Sequence, residues 1–301
     1  MSDSVLKYKI KGNESFAIRE GWLAKGLAAL EEDKCIFSDK NAMDSLGVGS
    51  KMVKSIKYWL LASHLVAEKC EKNSKHSLIL TDDLGVIVEE FDPYFEDVFT
   101  LWIIHYHISS NLSFNTVWNL FFNRFHVTDF TKRSMVDRID DECQKIFAPE
   151  NSLYNAIESD CGVILKMYAY SDGIAADPED NLISPFVELG LISRGAERGS
   201  YMKTRPLPSK LDRLAVLYVL VSNMIGDKKS VDIDTLVNQE NNIGRIFQLD
   251  RNMINEYLDR LRGEGYIEIN RTAGLDMVYL TANVTPGDVL RNYYMQTKAE
   301  V

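Results

Sequence analysis

Residues 41–60 permit few folds. Ala42, Met43 and Leu46 give a short helix its buried stripe, and Gly47-Val48-Gly49 then makes a tight turn. Glycine takes the positive φ that other residues resist. Ser50 is placed to cap a second helix, on which Met52, Val53, Ile56, Trp59 and Leu60 recur at the three-and-four spacing of one apolar face. Lys51, Lys54 and Lys57 fall on the opposite face, with no acid between residues 48 and 67. Two strands follow, His64-Leu65-Val66-Ala67 and Ser77-Leu78-Ile79-Leu80, joined by a polar, partly basic loop at Glu71–Lys75. The pattern predicts a winged helix-turn-helix, whose basic recognition helix and wing reach a major groove and its phosphates. The same pattern also fits a module that only packs against its neighbours and solvates three lysines.

Trp22, Leu23, Leu27 and Leu30 supply the first helix that such a module needs. Glu14, Arg19 and Lys25 are less easily explained by packing. They line either a phosphate or metal site, or an ordinary surface ion pair. Asp92-Pro93 predicts a new helix, aspartate at its cap and proline at its first position. Asp97 and His105 then share a drifting stripe. They read either as an acid–base pair for phosphodiester cleavage or as a helix start and an interior histidine. His107, two residues from His105, points nearly the opposite way, so the two cannot share a metal.

The helix from Ser113 to Phe125 is aromatic, with Asn115, Asn119 and Asn123 along one polar edge. Lys132, Arg133 and Arg138 sit near the start of the next, which opens at Thr128–Ser134. Together these repeat the order of a helix-turn-helix without a wing. An acidic loop spans Ser171–Ser184, and a boundary falls at Gly199–Lys210, where Pro206 and Pro208 interrupt the apolar pattern. Beyond it, helices capped at Ser209 and Asp250 precede two strands, a second winged-helix pattern. Its charges cancel from Arg245 to Arg271, five arginines against five acids. Arg251, Asn255 and Arg271 are DNA-contact candidates there, and a protein partner or a second copy is the alternative.

The expected architecture is therefore mainly α. Winged helix-turn-helix modules lie at both ends (residues 1–91 and 207–301) of a helical middle region (92–200). A net charge of −10 rules out a whole-protein basic field, so nucleic acid must meet local patches. No apolar run approaches the roughly 20 residues of a membrane span, and Met1-Ser2-Asp3-Ser4 does not start a signal peptide. Cys35, Cys70, Cys143 and Cys161 show no metal or disulfide spacing, which suits reduced thiols in a cytoplasmic protein.

Three stretches carry a resemblance. They are Glu14-Ser15-Phe16 with Arg19, Trp22 and Lys25; Leu46-Gly47-Val48-Gly49 with Met52-Val53, Ile56 and Tyr58-Trp59; and Asp92-Pro93-Tyr94 with Glu96-Asp97 and Thr100-Leu101-Trp102. With Glu188-Leu189-Gly190-Leu191-Ile192, the chain resembles the SspB-like family of single-strand DNA phosphorothioation and phage-defence systems. The resemblance implies nicking of one strand of double-stranded DNA, so that sulfur can replace a backbone oxygen. It also implies partners in the modification machinery: a cysteine desulfurase, an ATP-pyrophosphatase and an ATPase. It puts weight on Glu14, Arg19, Asp97 and His105. In the family's pattern a histidine precedes Glu14, where this chain has Asn13.

Two functions from different classes follow. In the first, an endonuclease holds a divalent metal such as Mg2+ on Glu14 and Asp97, with Arg19 and Lys25 stabilising the transition state. In the second, a non-catalytic adaptor or transcription regulator binds DNA through Ser50, Lys51, Lys54 and Lys57, helped by Lys132 and Arg133.

Overall fold

Helices dominate the computed structural model, which describes residues 6–69, 76–170, 183–224, 229–272 and 275–300. The expected wing loop at Glu71–Lys75 and the acidic loop from residue 171 to 182 lie outside these. No described helix is long and apolar enough to cross a membrane.

At the N-terminal end, α1 (Trp22–Glu32), α2 (Ala42–Leu46) and α3 (Ser50–Ala62) lead into an antiparallel hairpin of β1 (Val66–Lys69) and β2 (Ser77–Leu80). Gly47 ends α2 at φ 61°, the left-handed value the turn requires. A short helix, α4 (Gly85–Phe91), follows the hairpin. At Gly85 a Cβ would land on the Leu65 carbonyl oxygen, so only glycine lets α4 lie against the root of β1. Gly85→Ala is therefore expected to cost about 1–3 kcal/mol through forced backbone movement. A urea-unfolding midpoint equal to that of the wild type would show that this contact is not tight.

Asp92 does not open a helix. It ends α4, and its carboxylate accepts the Glu96 and Asp97 N–H groups and the Thr100 hydroxyl. The turn between, with Phe95 at φ 59°, delays α5 (Val98–Ser110) until Asp97 can cap it. α5 is apolar nearly all round and buried nearly all round, as such a helix must be. Around it lie α6 (Thr116–Asn123), α7 (Lys132–Phe147) and α8 (Tyr154–Tyr168).

A small sheet pairs β3 (Asp129–Thr131), β5 (Ser200–Lys203) and β4 (Ile192–Arg194), with β5 in the centre and Phe130 opposite Tyr201. β5 uses the beginning of the stretch that composition alone marks as a boundary. Residues 129–131, expected as a helix start, form a strand, and Thr131 then caps α7.

The C-terminal part holds α9 (Arg213–Asn223), β6 (Ser230–Asp232), α10 (Ile233–Asn238), α11 (Ile243–Ile246) and α12 (Arg251–Gly263). The strands β7 (Ile267–Thr272) and β8 (Leu275–Leu280) follow. Asp212, rather than Ser209, caps α9, and Asp250 caps α12 as expected. Finally α13 (Pro286–Glu300) returns to the N-terminal half. Tyr293 stacks on Phe99 at 3.6 Å and Tyr294 on Phe91 at 5.2 Å. One hydrophobic core runs from Ile18 to Tyr294.

Candidate functional site

The basic face of α3 rests on a rigid base. Ile56, Trp59 and Leu60 are wholly buried, and the Trp59 indole N–H donates to the Phe16 carbonyl at 3.0 Å. Gly49 occupies the cap position and the Ser50 side chain makes no capping bond, because the turn's extended residue is the glycine. Lys51 and Lys54 are exposed, and neither has an acidic partner among the described residues. Lys57 differs: its ammonium meets Glu68 of β1 at 3.0 Å. The face thus offers two unpaired cations rather than three. Lys25 lies exposed on α1.

Glu14 sits in a constrained loop. Lys11, Glu14 and Ser15 have φ of 61°, 51° and 69°. Non-glycine residues held left-handed cost of order 1–3 kcal/mol each, and they persist where the surroundings enforce them. The enforcing group is Asp160 of α8, 2% exposed. It accepts the Lys11 N–H and the Asn13 amide, each at 2.8 Å, while Asn13 accepts the Ser15 N–H at 2.8 Å. Burial raises the Asp160 carboxyl to about 6, against the pull of those two donors. Asn13, standing where the family's pattern has a histidine, is wholly buried and braces the loop. Glu14 itself is half-buried. Arg19 lies over the Phe16 and Trp22 rings, at 5.7 and 5.3 Å.

Asp97 and His105 have interior duties. One Asp97 oxygen accepts both the Phe99 N–H (2.9 Å) and the Tyr293 hydroxyl (3.0 Å), tying α5 to α13. His105 is wholly buried, with Nε2 at 2.9 Å from the Ile246 carbonyl and Nδ1 at 2.8 Å from the Tyr168 hydroxyl. Facing a carbonyl, Nε2 carries the proton; Nδ1 accepts. Burial pushes the imidazole down to about 3, so it stays neutral near pH 7. Sealed and bonded at both nitrogens, the ring has the partners of the interior histidine that was the alternative reading. The two residues of the expected metal pair are anchored to different elements. The Glu14 loop is fastened to α8 and Asp97 to α13. Among the described residues, no group of three or more His, Cys, Asp or Glu side chains is gathered around a metal position.

The remaining basic candidates are largely neutralised. Lys132 pairs with Glu158 at 3.3 Å, and Arg133 lies 3.9 Å from Asp137. Arg251 pairs with Asp234 and, at 3.4 Å, with Asp276. Arg271 donates to Asn255 at 3.2 Å and lies 3.7 Å from Asp259. Exposed pairs like these add little stability, but they leave little field for a polyanion.

Asp160 is the site residue that sequence reading missed. Its partners are 147 and 149 positions away. The available signal was its position on the buried stripe of α8, beside Ile157, Cys161 and Ile164. A carboxylate at a core position needs partners.

A family model described as "Protein of unknown function (DUF4007)" matches residues 11–294. No curated protein matches the chain. Among solved structures, one described as magnesium ion-bound SspB superposes with a TM-score of 0.83 at 23% sequence identity, covering 97% of this chain and 88% of that chain. Another, described as the SspB crystal structure, gives 0.81 at 23% identity with the same coverage. The chain therefore has an SspB-like fold.

Proposed function

The chain belongs to the DUF4007 family, and on that premise we propose that it is a duplex-DNA-binding component of a DNA phosphorothioation and defence system that opens one strand. The carrying observation is the pair Lys51 and Lys54. On a chain of net charge −10, these two cations stand exposed and unpaired on a helix fixed by Trp59. Read as winged helices, the two ends divide the work. The N-terminal one (α1–α3 with β1–β2) meets the phosphates. The C-terminal one (α9, α10 and α12 with β7–β8), its Arg251 and Arg271 already paired, meets protein: the sulfur-transfer machinery or a second copy.

Within this reading the strained loop is the place for chemistry. Glu14 accepts a proton from the attacking water, while Arg19 and Lys25 offset charge on the phosphate. The magnesium in one neighbour's description motivates a metal arm in the test.

The test is fluorescence anisotropy on a short duplex over a salt series, with nicking of supercoiled plasmid scored alongside. Lys51→Glu with Lys54→Glu should weaken binding by about 100-fold and shallow the log–log salt slope by about 2, at ~0.9 per phosphate contact. Unchanged affinity would mean that α3 does not meet DNA. Glu14→Gln should bind normally and leave the plasmid supercoiled; nicking at the wild-type rate would remove Glu14 from the site. The sealed His105 and the occupied Asp97 favour a second reading, a DNA-binding adaptor without cleavage. Binding with no nicking by the wild type, with or without Mg2+, would establish that reading.

A further inference from the structure

A pocket of about 220 Å3 opens beside the end of α9. That is smaller than the roughly 300–1,000 Å3 of drug-sized sites and suits a single ring system. Leu220, Met224, Val231 and Leu236 make its walls. Its rim is the loop 239–242, joined by Asn223, so four amides and the Glu240 carboxylate make most of its surface polar.

This rim is built, not incidental. Asn241 is held left-handed at φ 63°. Its backbone N–H donates to Asn123 at 2.6 Å, its side-chain oxygen accepts from Asn119 at 3.0 Å, and its carbonyl accepts from Asn223 at 2.9 Å. Asn119 and Asn123 are each 1% exposed. They belong to the polar edge of α6, which the DNA-binding reading leaves unused. Burying amides is unfavourable unless they are hydrogen-bonded; one bond from each fixes Asn241, and the rest tie α6 to Ser109 of α5 or stay within α6. A loop fixed beforehand loses little entropy when a ligand arrives. The side-chain N–H groups of Gln239 and Asn241 have no partner among the described residues.

Cations gather at the same rim. Arg245 donates to the Asn238 carbonyl at 2.9 Å, one residue before the rim, and touches His126 at 3.0 Å. Neither Arg245 nor nearby Arg138 pairs with an acid among the described residues. The nearby acids Glu240 and Glu142 are both held by Arg124, at 2.8 and 3.6 Å. Lys203, donating to the Phe121 and Phe125 carbonyls at 2.7 Å, is lowered to about 7 by burial and by Arg245, so it adds only part of a charge nearby.

We propose that this pocket binds one nucleotide, its base held by the rim amides against Met224 and Leu236 and its phosphate on Arg245 and His126. The amide donors of Gln239 and Asn241 suit the ring-nitrogen and carbonyl acceptors on a base edge, and Glu240 suits an exocyclic amine. The slot admits a base only out of the stack. The ligand is therefore either a free nucleotide or an unstacked nucleotide of a DNA strand. This site is independent of α3.

Isothermal titration of the full chain with dAMP, with deoxyadenosine, and with short duplexes carrying a paired or an unpaired adenine tests it. dAMP should bind more tightly than deoxyadenosine. Gln239→Ala, an exposed change that leaves the core intact, should weaken dAMP about tenfold, the effect of one lost hydrogen bond of ~1.4 kcal/mol. Arg245→Ala should weaken dAMP but not deoxyadenosine. Preference for the unpaired-adenine duplex, lost in Gln239→Ala, supports the site and identifies a DNA strand as the source. Binding of dAMP without that preference supports it with a free nucleotide. No binding of either probe, or binding indifferent to both substitutions, overturns it. Lys51→Glu with Lys54→Glu should keep dAMP affinity, so the two proposals fail separately.

Discussion

Lowering the pH from 7 to 4 is expected to remove on the order of 4 kcal/mol of stability, most of it through two histidines. Burial holds both His105 and His107 down to about 3 from the ordinary 6.5. Such an imidazole binds protons more tightly in the unfolded chain. Its contribution is complete above pH 6.5 and is lost as the pH falls toward 3. By pH 4 each loses roughly 3 kcal/mol, at ~1.4 kcal/mol per pH unit. Asp160 works the other way. Its carboxyl is raised from 3.8 to about 6, so the protein loses stability through it as the pH rises across that window. On acidification it returns roughly 2 kcal/mol. Around His105 the facing groups are the Ile246 carbonyl, the Tyr168 and Ser109 hydroxyls and the charge of Lys203; only the carbonyl favours a proton on the ring, and burial outweighs it. Urea unfolding of wild type and His105→Gln at pH 7 and pH 4 provides the check. Glutamine can still donate to Ile246 and accept from Tyr168, so the variant should lose roughly 3 kcal/mol less on acidification. Equal pH dependence in the two proteins would show that His105 titrates normally.

Asp160→Ala is expected to destabilise the protein by roughly 2–5 kcal/mol at pH 5 and to release the Glu14 loop. Two donors, the Lys11 N–H and the Asn13 amide, would be left unsatisfied, each at about 1–3 kcal/mol. At pH 8 the loss should be smaller, because the wild type there carries the cost of a buried charge. A loss that grows as the pH falls is the mark of this carboxyl; a constant loss would assign it a packing role alone. Faster amide exchange should appear at residues 11–16 and spare α12. If the loop carries the chemistry, nicking should disappear in this variant while α3 still binds DNA.

Local patterns exposed much of the scaffold. The Gly47 turn, the buried face of α3 and the Asp250 cap follow from neighbours a few residues apart. Wherever the partner is remote, sequence reading failed. Asp92 sits before Pro93 like a helix cap, but Thr100 and two later N–H groups claim its carboxylate. Phe130 sits at the start of a helical pattern, and only Tyr201, 71 positions on, makes its segment a strand. For His105 spacing favoured the interior over chemistry, and only Tyr168 and Ile246, 63 and 141 positions away, show what holds it there. The equal charge count in the C-terminal part did carry over, because Arg251 and Arg271 find acids close by in space.

The return of α13 also sets an order of events during synthesis. Phe91 and Phe99 acquire their stacking partners only from residues 293 and 294, about two hundred positions later. Until that helix is made, a growing chain leaves an aromatic strip uncovered beside α4, and contacts this distant form slowly. The packing of α4 and α5 therefore stays incomplete, and open to proteolysis, until α13 has been made.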